Sequence, residues 1–247
     1  MARFFISEEA ITGDTLIISG NDSFHIARTL RMACGDEITV CDGSGTEYVC
    51  ALTKIRDNEC ECQIISKRES SAESPVCISL YMAYPKGDKL ETVVQKAVEL
   101  GASRIIPFES SRCIKRPSED KLDKITARLN KIAHEAAKQC GRAILPSVLR
   151  VKKLTDVVKE VPTYGLTVFC YEGDGAESLK SILEKHAPKS GSIAVIVGSE
   201  GGFSKEEAEL ITASGAKCAN LGPRILRCET APDYCLSAIS YFLELSH

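Results

Sequence analysis

The sequence predicts an α/β protein in two parts: a small N-terminal β-barrel over residues 1–74, then a larger α/β domain with a mostly parallel sheet over 75–247. Three observations predict it. Up to Ser74, apolar and polar residues alternate between glycine-bearing turns, which is the period of half-buried strands. After Pro75, near-continuous apolar runs alternate with stretches of helical spacing, the rhythm of parallel strands covered by helices on both faces. Between them lies KRESSAESP, a polar linker closed by proline.

In the first part, DEITVCDGSGTEYVCALTKI alternates, turns at Asp42–Gly45 and resumes with Tyr48, Val49 and Cys50; ECECQIIS adds another alternating run. One helix interrupts them: SFHIARTLRMACGD sets Phe24, Ala27 and Leu30 on one face, with Gly35 placed to end it. In the second part, VCISLYMAY reads as a buried strand. GDKLETVVQKAVELG follows as a helix with Leu90, Val93, Val94 and Ala97 inward and Gly101 at its end. SRIIPF is the next strand, and SEDKLDKITARLNKIAHEAAKQCG is a long helix striped by Leu122, Ile125, Leu129, Ile132 and Ala136. LTVFCYEGD, SIAVIVG and AKCANLG are later strands with short helices between them.

Bulk properties exclude several classes. A chain of 247 residues with 44% hydrophobic and 26% charged content can bury a core without disulfide or metal staples. Twelve cysteines are scattered without C-x-x-C, and four histidines lie far apart, so no zinc spacing arises. MARFFISEEA lacks the charged start and long apolar run of a secretory signal, and no stretch has the ~18 apolar residues of a membrane span. A cytoplasmic protein with reduced, buried thiols and no membrane partner is expected. Net charge is −3, yet Lys86–Lys153 holds 16 Lys or Arg against 8 Asp or Glu, while Met1–Ala72 holds 7 against 12. That asymmetry fits either a basic surface for nucleic acid or two lysine-rich solvated helices.

The chemistry concentrates in three strand ends. IAVIVGSEGGFSKEEAELI runs from a strand through Gly198, Gly201 and Gly202 into a helix whose start, Ser204 to Glu207, has the pattern of a capping box. It is neither G-x-G-x-x-G nor a P-loop, and Glu200 would repel a phosphate held at the helix start. A second loop, NLGPRILRCETAP, offers Leu221, Gly222, Ile225, Leu226, Arg227 and Glu229; a third, VFCYEGD, offers Tyr171 and Glu172. Ligands of open α/β sheets bind beyond the carboxyl ends of strands. Glycines, apolar residues and carboxylates there suit an uncharged or cationic adenine-type ligand, and S-adenosylmethionine, a sulfonium without phosphate, fits.

VGSEGGFS followed by LGPRILRCETA resembles the C-terminal signature of the SPOUT methyltransferases, α/β enzymes whose last segment threads a trefoil knot. More narrowly, the chain resembles the 16S ribosomal RNA uracil-N3 methyltransferases over nearly its whole length. RFF, HIARTLRMACGDEI and DGSGTEY are similar to that family's N-terminal PUA-like barrel, and KGDKLETVVQKAVELGASRIIPFESSRC and EAAKQCGRAILP to its central blocks. Ser199 stands where the family usually has proline, and Cys228 where it has threonine.

The resemblance implies methyl transfer from S-adenosylmethionine to N3 of a uridine in 16S ribosomal RNA of the 30S subunit. It places Tyr171, Glu172, Val197, Gly198, Glu200, Gly201, Gly202, Leu221, Gly222, Ile225 and Leu226 around the cofactor, and Arg112, Arg227 and Glu229 at the chemistry. Glu200 either faces the cation or holds the loop's backbone. Glu229 is either the N3 proton acceptor or an acid at a helix start. Arg28, Arg31, Lys86, Lys89, Arg112 and Arg142 are candidates for RNA, with ordinary surface or helix-end ion pairs as their alternative; Lys115, Arg116 and the helix around Lys124–Lys138 extend the basic surface. SPOUT enzymes are generally homodimers, and Leu236, Ile239, Phe242 and Leu243 on the last helix are the residues available for such an interface. Rivals are another SPOUT enzyme acting on a ribose 2′-OH or a transfer RNA base, an RNA-binding module without catalysis, and a nucleotide-dependent oxidoreductase.

Overall fold

Alternation in the first part builds β1 (Arg3–Phe5), β2 (Ile11–Thr12), β3 (Thr15–Ser19), β4 (Glu37–Cys41), β5 (Thr46–Ile55) and β6 (Glu59–Glu69). They form one sheet in the order β1-β4-β5-β6-β3-β2, antiparallel except for β1 beside β4. The β4–β5 hairpin turns where the sequence places it. Asp42 Oδ1 accepts from the N–H groups of Ser44 (2.8 Å) and Thr46 (3.1 Å), which fixes the turn. Every second residue points inward, so Leu16, Ile18, Ile38, Val40, Leu52, Cys60 and Cys62 share one core. Full burial of each large aliphatic side chain is worth roughly 1.5–3 kcal/mol. The closely spaced Cys60 and Cys62 are therefore packing residues, and burial pushes the Cys62 thiol up to about 12. All twelve cysteines are free thiols.

Two expectations for this part change. The sheet is a curled half-barrel with β1 and β2 as its edges, not a closed barrel. The helix also turns another face inward. α1 (Asn21–Phe24) widens at once into a π-turn over His25–Thr29, and the Leu30 N–H reaches back five residues to His25 O (2.9 Å). The 3.6-residue phase is lost. Ser23 and Ile26 are buried, while Phe24 and Leu30 stand in solvent. Ser23 tolerates burial because its hydroxyl donates to Gly20 O (2.8 Å) and Asp57 O (3.0 Å). Gly35 caps no helix; its N–H bonds Leu52 O.

In the second part the strands are β7 (Cys77–Ala83), β8 (Ala102–Glu109), β9 (Ser147–Val148), β10 (Lys152–Lys153), β11 (Leu166–Cys170), β12 (Glu177–Ser178), β13 (Ser192–Val197) and β14 (Lys217–Asn220). All pair in parallel in the order β10-β8-β7-β13-β11-β14-β12, with β9 also on β8. The helices are α2 (Lys89–Glu99), α3 (Leu122–Cys140), α4 (Leu154–Glu160), α5 (Leu179–His186), α6 (Lys205–Ala213) and α7 (Thr230–Ser240). β7, β11 and β13 bury nearly every residue, as strands covered on both faces must. Gly101, at φ +90°, follows the end of α2, and Leu90, Val93, Val94 and Ala97 are buried as their spacing predicts. From β7 the chain steps outward to β8, crosses to β11, then inserts β13 between β7 and β11. That reversal opens a crevice at the strands' carboxyl ends.

This computed structural model describes residues 2–173, 175–187 and 191–245. It divides into two units, Met1–Glu73 with Ala137–Leu145, and Ser74–Ala136 with Pro146–His247. In the first, Glu73 gathers four donors: Arg142 Nε (3.1 Å) and Nη2 (2.8 Å), and the N–H groups of Ala143 (2.8 Å) and Ile144 (2.9 Å). One carboxylate thus holds the returning 137–145 segment to the end of the sheet.

Candidate active site

Five strand ends of the second unit meet around one cavity of about 730 Å³. β7 leads to Lys86 and Lys89, β8 to Arg112, β11 to Cys170–Glu172, β13 to Val197–Phe203, and β14 to Ala219 and Leu221, with Ile225–Cys228 beyond. The sequence-derived Tyr171, Glu172, Val197, Gly198, Glu200, Gly202, Leu221, Ile225, Leu226, Arg112 and Arg227 all line it. Gly201, Gly222 and Glu229 belong to the same loops but are not among the lining residues.

The glycine loop is built by close approach. At Gly198 a Cβ would lie 2.9 Å from the Phe203 ring and 3.1 Å from Gly202 Cα; at Gly201 it would lie 2.9 Å from both Arg112 O and Arg112 Cβ. Side chains of any size are excluded, so the backbone itself forms the cradle. The Gly202 N–H closes the turn on Ser199 O (2.9 Å). Ser204 then starts α6 with a full capping box: its Oγ accepts from the Glu207 N–H (3.2 Å), and Glu207 Oε2 from the Ser204 N–H (3.0 Å). The other Glu207 oxygen accepts from the Ser111 N–H (2.6 Å), fastening the loop after β8. The two departures from the family pattern find partners. The Ser199 hydroxyl donates to Arg112 O (3.5 Å), and the Cys228 thiol to Glu229 Oε2 (3.2 Å).

Carboxylates and one ammonium order the rest. Lys89 Nζ lies 3.1 Å from Glu200 and 3.0 Å from Glu229, joining the loop after β13 to the start of α7. Hydrogen bonds to Glu229 and then Glu200 raise the Lys89 pKa. Burial works against ionisation of Glu200, but its own N–H, Lys89 and the Lys86 N–H (3.3 Å) hold the carboxyl below the usual range. Glu229 is likewise pushed up by burial, but Cys228, its own N–H and Lys89 bring it to about 2. Burial and the Glu229 carboxylate drive the Cys228 thiol up to about 12. Both carboxylates are thus ionised at neutral pH, and Glu229 is a weak base.

Among the residues proposed for RNA, Lys86 and Lys89 lie on the cavity wall, and Lys89 is engaged in the double ion pair. Arg142 requires correction: at 2% exposure, with its guanidinium on Glu73, it has no surface to offer a phosphate. Arg28 is exposed and bidentate on Asp57 (2.8 and 2.6 Å). Arg31 does not share a helical face with it; it lies past the π-turn at φ +52°, the one non-glycine residue with positive φ among those described. Cys170, Ser199, Phe203, Lys205, Ala219, Cys228 and Ala231 also line the cavity. Lys205 had a sequence signal: a cation opening a helix opposes the dipole and needs another reason to be there. On the last helix, Leu236 and Ile239 are buried within the unit and not free for an interface; Tyr234, Tyr241 and Leu245 are exposed instead.

The crevice fits a sulfonium nucleoside better than a polyphosphate. Its backbone cradle is flanked by apolar walls from Leu221, Ile225 and Leu226, and Lys89 beside the loop is already paired with two carboxylates. Among the described residues no group of His, Cys, Asp and Glu is placed to hold a metal ion, and no helix is long and apolar enough to cross a membrane.

A chain that carries a glycine-cradled crevice at the end of a parallel sheet in one unit and a curled sheet in the other defines a class. Residues 72–240 match the model of an RNA methyltransferase domain, and residues 18–65 that of an RNA methyltransferase PUA domain. The ribosomal RNA small subunit methyltransferase E of Bacillus subtilis is 36% identical, over 99% of this chain and 98% of that one. Its namesake from Synechocystis is 30% identical over 98% of this chain and 78% of its own length. The crystal structure of ribosomal RNA small subunit methyltransferase E from Neisseria gonorrhoeae bound to S-adenosyl methionine aligns with TM-score 0.87 at 31% identity, covering 97% of each chain. The chain belongs to the ribosomal RNA small subunit methyltransferase E family.

Proposed function

We propose that the chain is a methyltransferase that takes a methyl group from S-adenosylmethionine and places it on N3 of a uridine in 16S ribosomal RNA. The observation that carries this is the glycine cradle, formed by the same fold that holds S-adenosyl methionine in the Neisseria gonorrhoeae relative. When bound, S-adenosylmethionine supplies an electrophilic methyl on a cationic sulfur. The chain supplies position. Gly198 and Gly202 let backbone meet the ligand, and Tyr171, Leu221, Ile225 and Leu226 shield it from water. N3 is a weak acid whose proton leaves to water ahead of the methyl, building negative charge on the uracil that the incoming methyl then cancels. Arg112 and Arg227, both on the cavity wall, are placed to stabilise that charge. Glu229, held near 2 and paired with Lys89, serves to anchor the loops and not to accept the proton.

Three finer features belong to the same reading. A trefoil knot in the final segment is part of the proposal, supported by the return of the chain after β14 to pack α7 against β13 and α2. Two chains pair through the face carrying Tyr234, Tyr241 and Leu245. The substrate is the cytoplasmic small subunit or its RNA, gripped in part by Arg28 and Arg31 of the PUA unit and by the basic run Arg112–Arg116. Another RNA methyltransferase specificity, or RNA binding without catalysis, is the alternative. The test incubates the protein with labelled S-adenosylmethionine and unmethylated 30S subunits, then maps the product nucleoside. N3-methyluridine supports the reading; a 2′-O-methyl nucleoside, or no label, rejects it.

A further inference from the structure

We infer that Ile114 is a wedge that occupies the stack left by the target nucleotide when its base enters the crevice. The inference rests on the reading of uracil N3 as the methylated atom. N3 lies on the base's pairing edge, so it is reached only when the base is unpaired and turned out. Proteins that unstack nucleic-acid bases frequently insert an apolar side chain between them.

The segment after β8 has the necessary build. It is fastened at several points. The Ser111 N–H is on Glu207 (2.6 Å), Arg112 Nη1 donates to Gly201 O (3.2 Å), and the Ser110 N–H donates to the buried Cys113 sulfur (3.3 Å). Beyond the apex, Arg116 Nη2 reaches back to Ser110 O (3.4 Å). A segment so held would normally turn its large aliphatic side chain inward. Ile114 is instead 68% exposed, between Arg112 on the crevice wall and the exposed Lys115 and Arg116. Two residues of chain span at most about 7 Å, which keeps Ile114 within roughly two base-stacking steps of a crevice-lining residue. Cations on both sides suit the phosphates that flank an extruded nucleotide. The β-branched side chain has few rotamers, so it is stiff enough to hold a stack open. An exposed isoleucine amid three cations favours nucleic acid over an apolar protein surface.

The test compares wild type, Ile114→Ala and Ile114→Leu in the full chain. It uses unmethylated 30S subunits, labelled S-adenosylmethionine, calorimetry of cofactor binding and sedimentation. The wedge predicts that Ile114→Ala lowers kcat by on the order of tenfold to a hundredfold. Cofactor affinity, melting temperature and the KM for 30S should stay near wild type, since the glycine cradle and the cations remain. Ile114→Leu should recover most of kcat. If Ile114→Ala keeps kcat within twofold while wild type methylates normally, the wedge is overturned. If the loss of kcat follows a change in oligomeric state, Ile114 faces a second copy of the chain and the wedge is again overturned. A wild type that binds the cofactor but methylates no uridine N3 removes the functional reading, and the wedge with it.

Discussion

Replacing Gly201 with alanine tests how the crevice is built. The added methyl would stand 2.9 Å from Arg112 O and 2.9 Å from Arg112 Cβ, closer than such contacts occur. Gly201 is not at positive φ, so backbone strain adds nothing and the effect is steric. Relief requires several tenths of an ångström of movement by the glycine loop, the segment after β8, or both. Movement weakens the bond from Arg112 to Gly201 O (3.2 Å) and the long one from Ser199 to Arg112 O (3.5 Å). Overpacking of this kind costs roughly 1–3 kcal/mol. In a chain of this size each kcal/mol lowers Tm by about 2–4 °C. The same displacement falls on the cofactor cradle, where about 1.4 kcal/mol is tenfold in Kd. Calorimetry should show S-adenosylmethionine binding weakened about tenfold or more, with Tm down by several degrees. Gly215→Ala is the control: it is at φ +106° with nothing within 4 Å, and should cost stability while leaving Kd unchanged. A Gly201→Ala protein with wild-type Kd and Tm would refute the idea that the two segments are in obligatory contact.

Glu73→Ala removes the carboxylate that pairs with the nearly buried Arg142 guanidinium and accepts from two backbone N–H groups, so thermal denaturation should show a loss of about 3–5 kcal/mol. The depressed pKa of Glu229 contributes stability that is present above the ordinary carboxyl range and lost as pH falls toward about 2; Glu229→Gln should remove that part of the acid limb in a denaturation series. The proposed pairing of two chains predicts a dimer in sedimentation that Tyr241→Asp, at a residue 63% exposed, turns into a monomer without lowering Tm appreciably.

What was legible in the sequence follows physical locality. The alternation that opens β6, the stripe of α2 and the Ser204–Glu207 capping box are short-range patterns, and the structure repeats them; β4 buries four residues in a row instead. The α1 face misled because a π-turn breaks the period, and because a buried serine with two carbonyl acceptors carries no apolar signal. Arg142 and Lys89 read as surface cations because their acceptors, Glu73, Glu200 and Glu229, lie 69 to 140 residues away along the chain. Glu200 was visible as an anomaly in a glycine loop, but its bond to the Lys86 N–H depends on β13 lying beside β7, which spacing alone does not give. The final helix followed the same rule: its regular apolar positions, Leu236 and Ile239, serve the unit's own core, and the exposed face carries tyrosines.

The carboxyl edge of the parallel sheet is shaped to receive a sulfonium nucleoside and not a polyphosphate. Titration calorimetry of the full chain with S-adenosylmethionine, ATP and NAD+ in turn measures this directly. Saturable binding of S-adenosylmethionine that Gly201→Ala weakens, with no heat from the other two, is the predicted result. Binding of ATP or NAD+ with none of S-adenosylmethionine would contradict it.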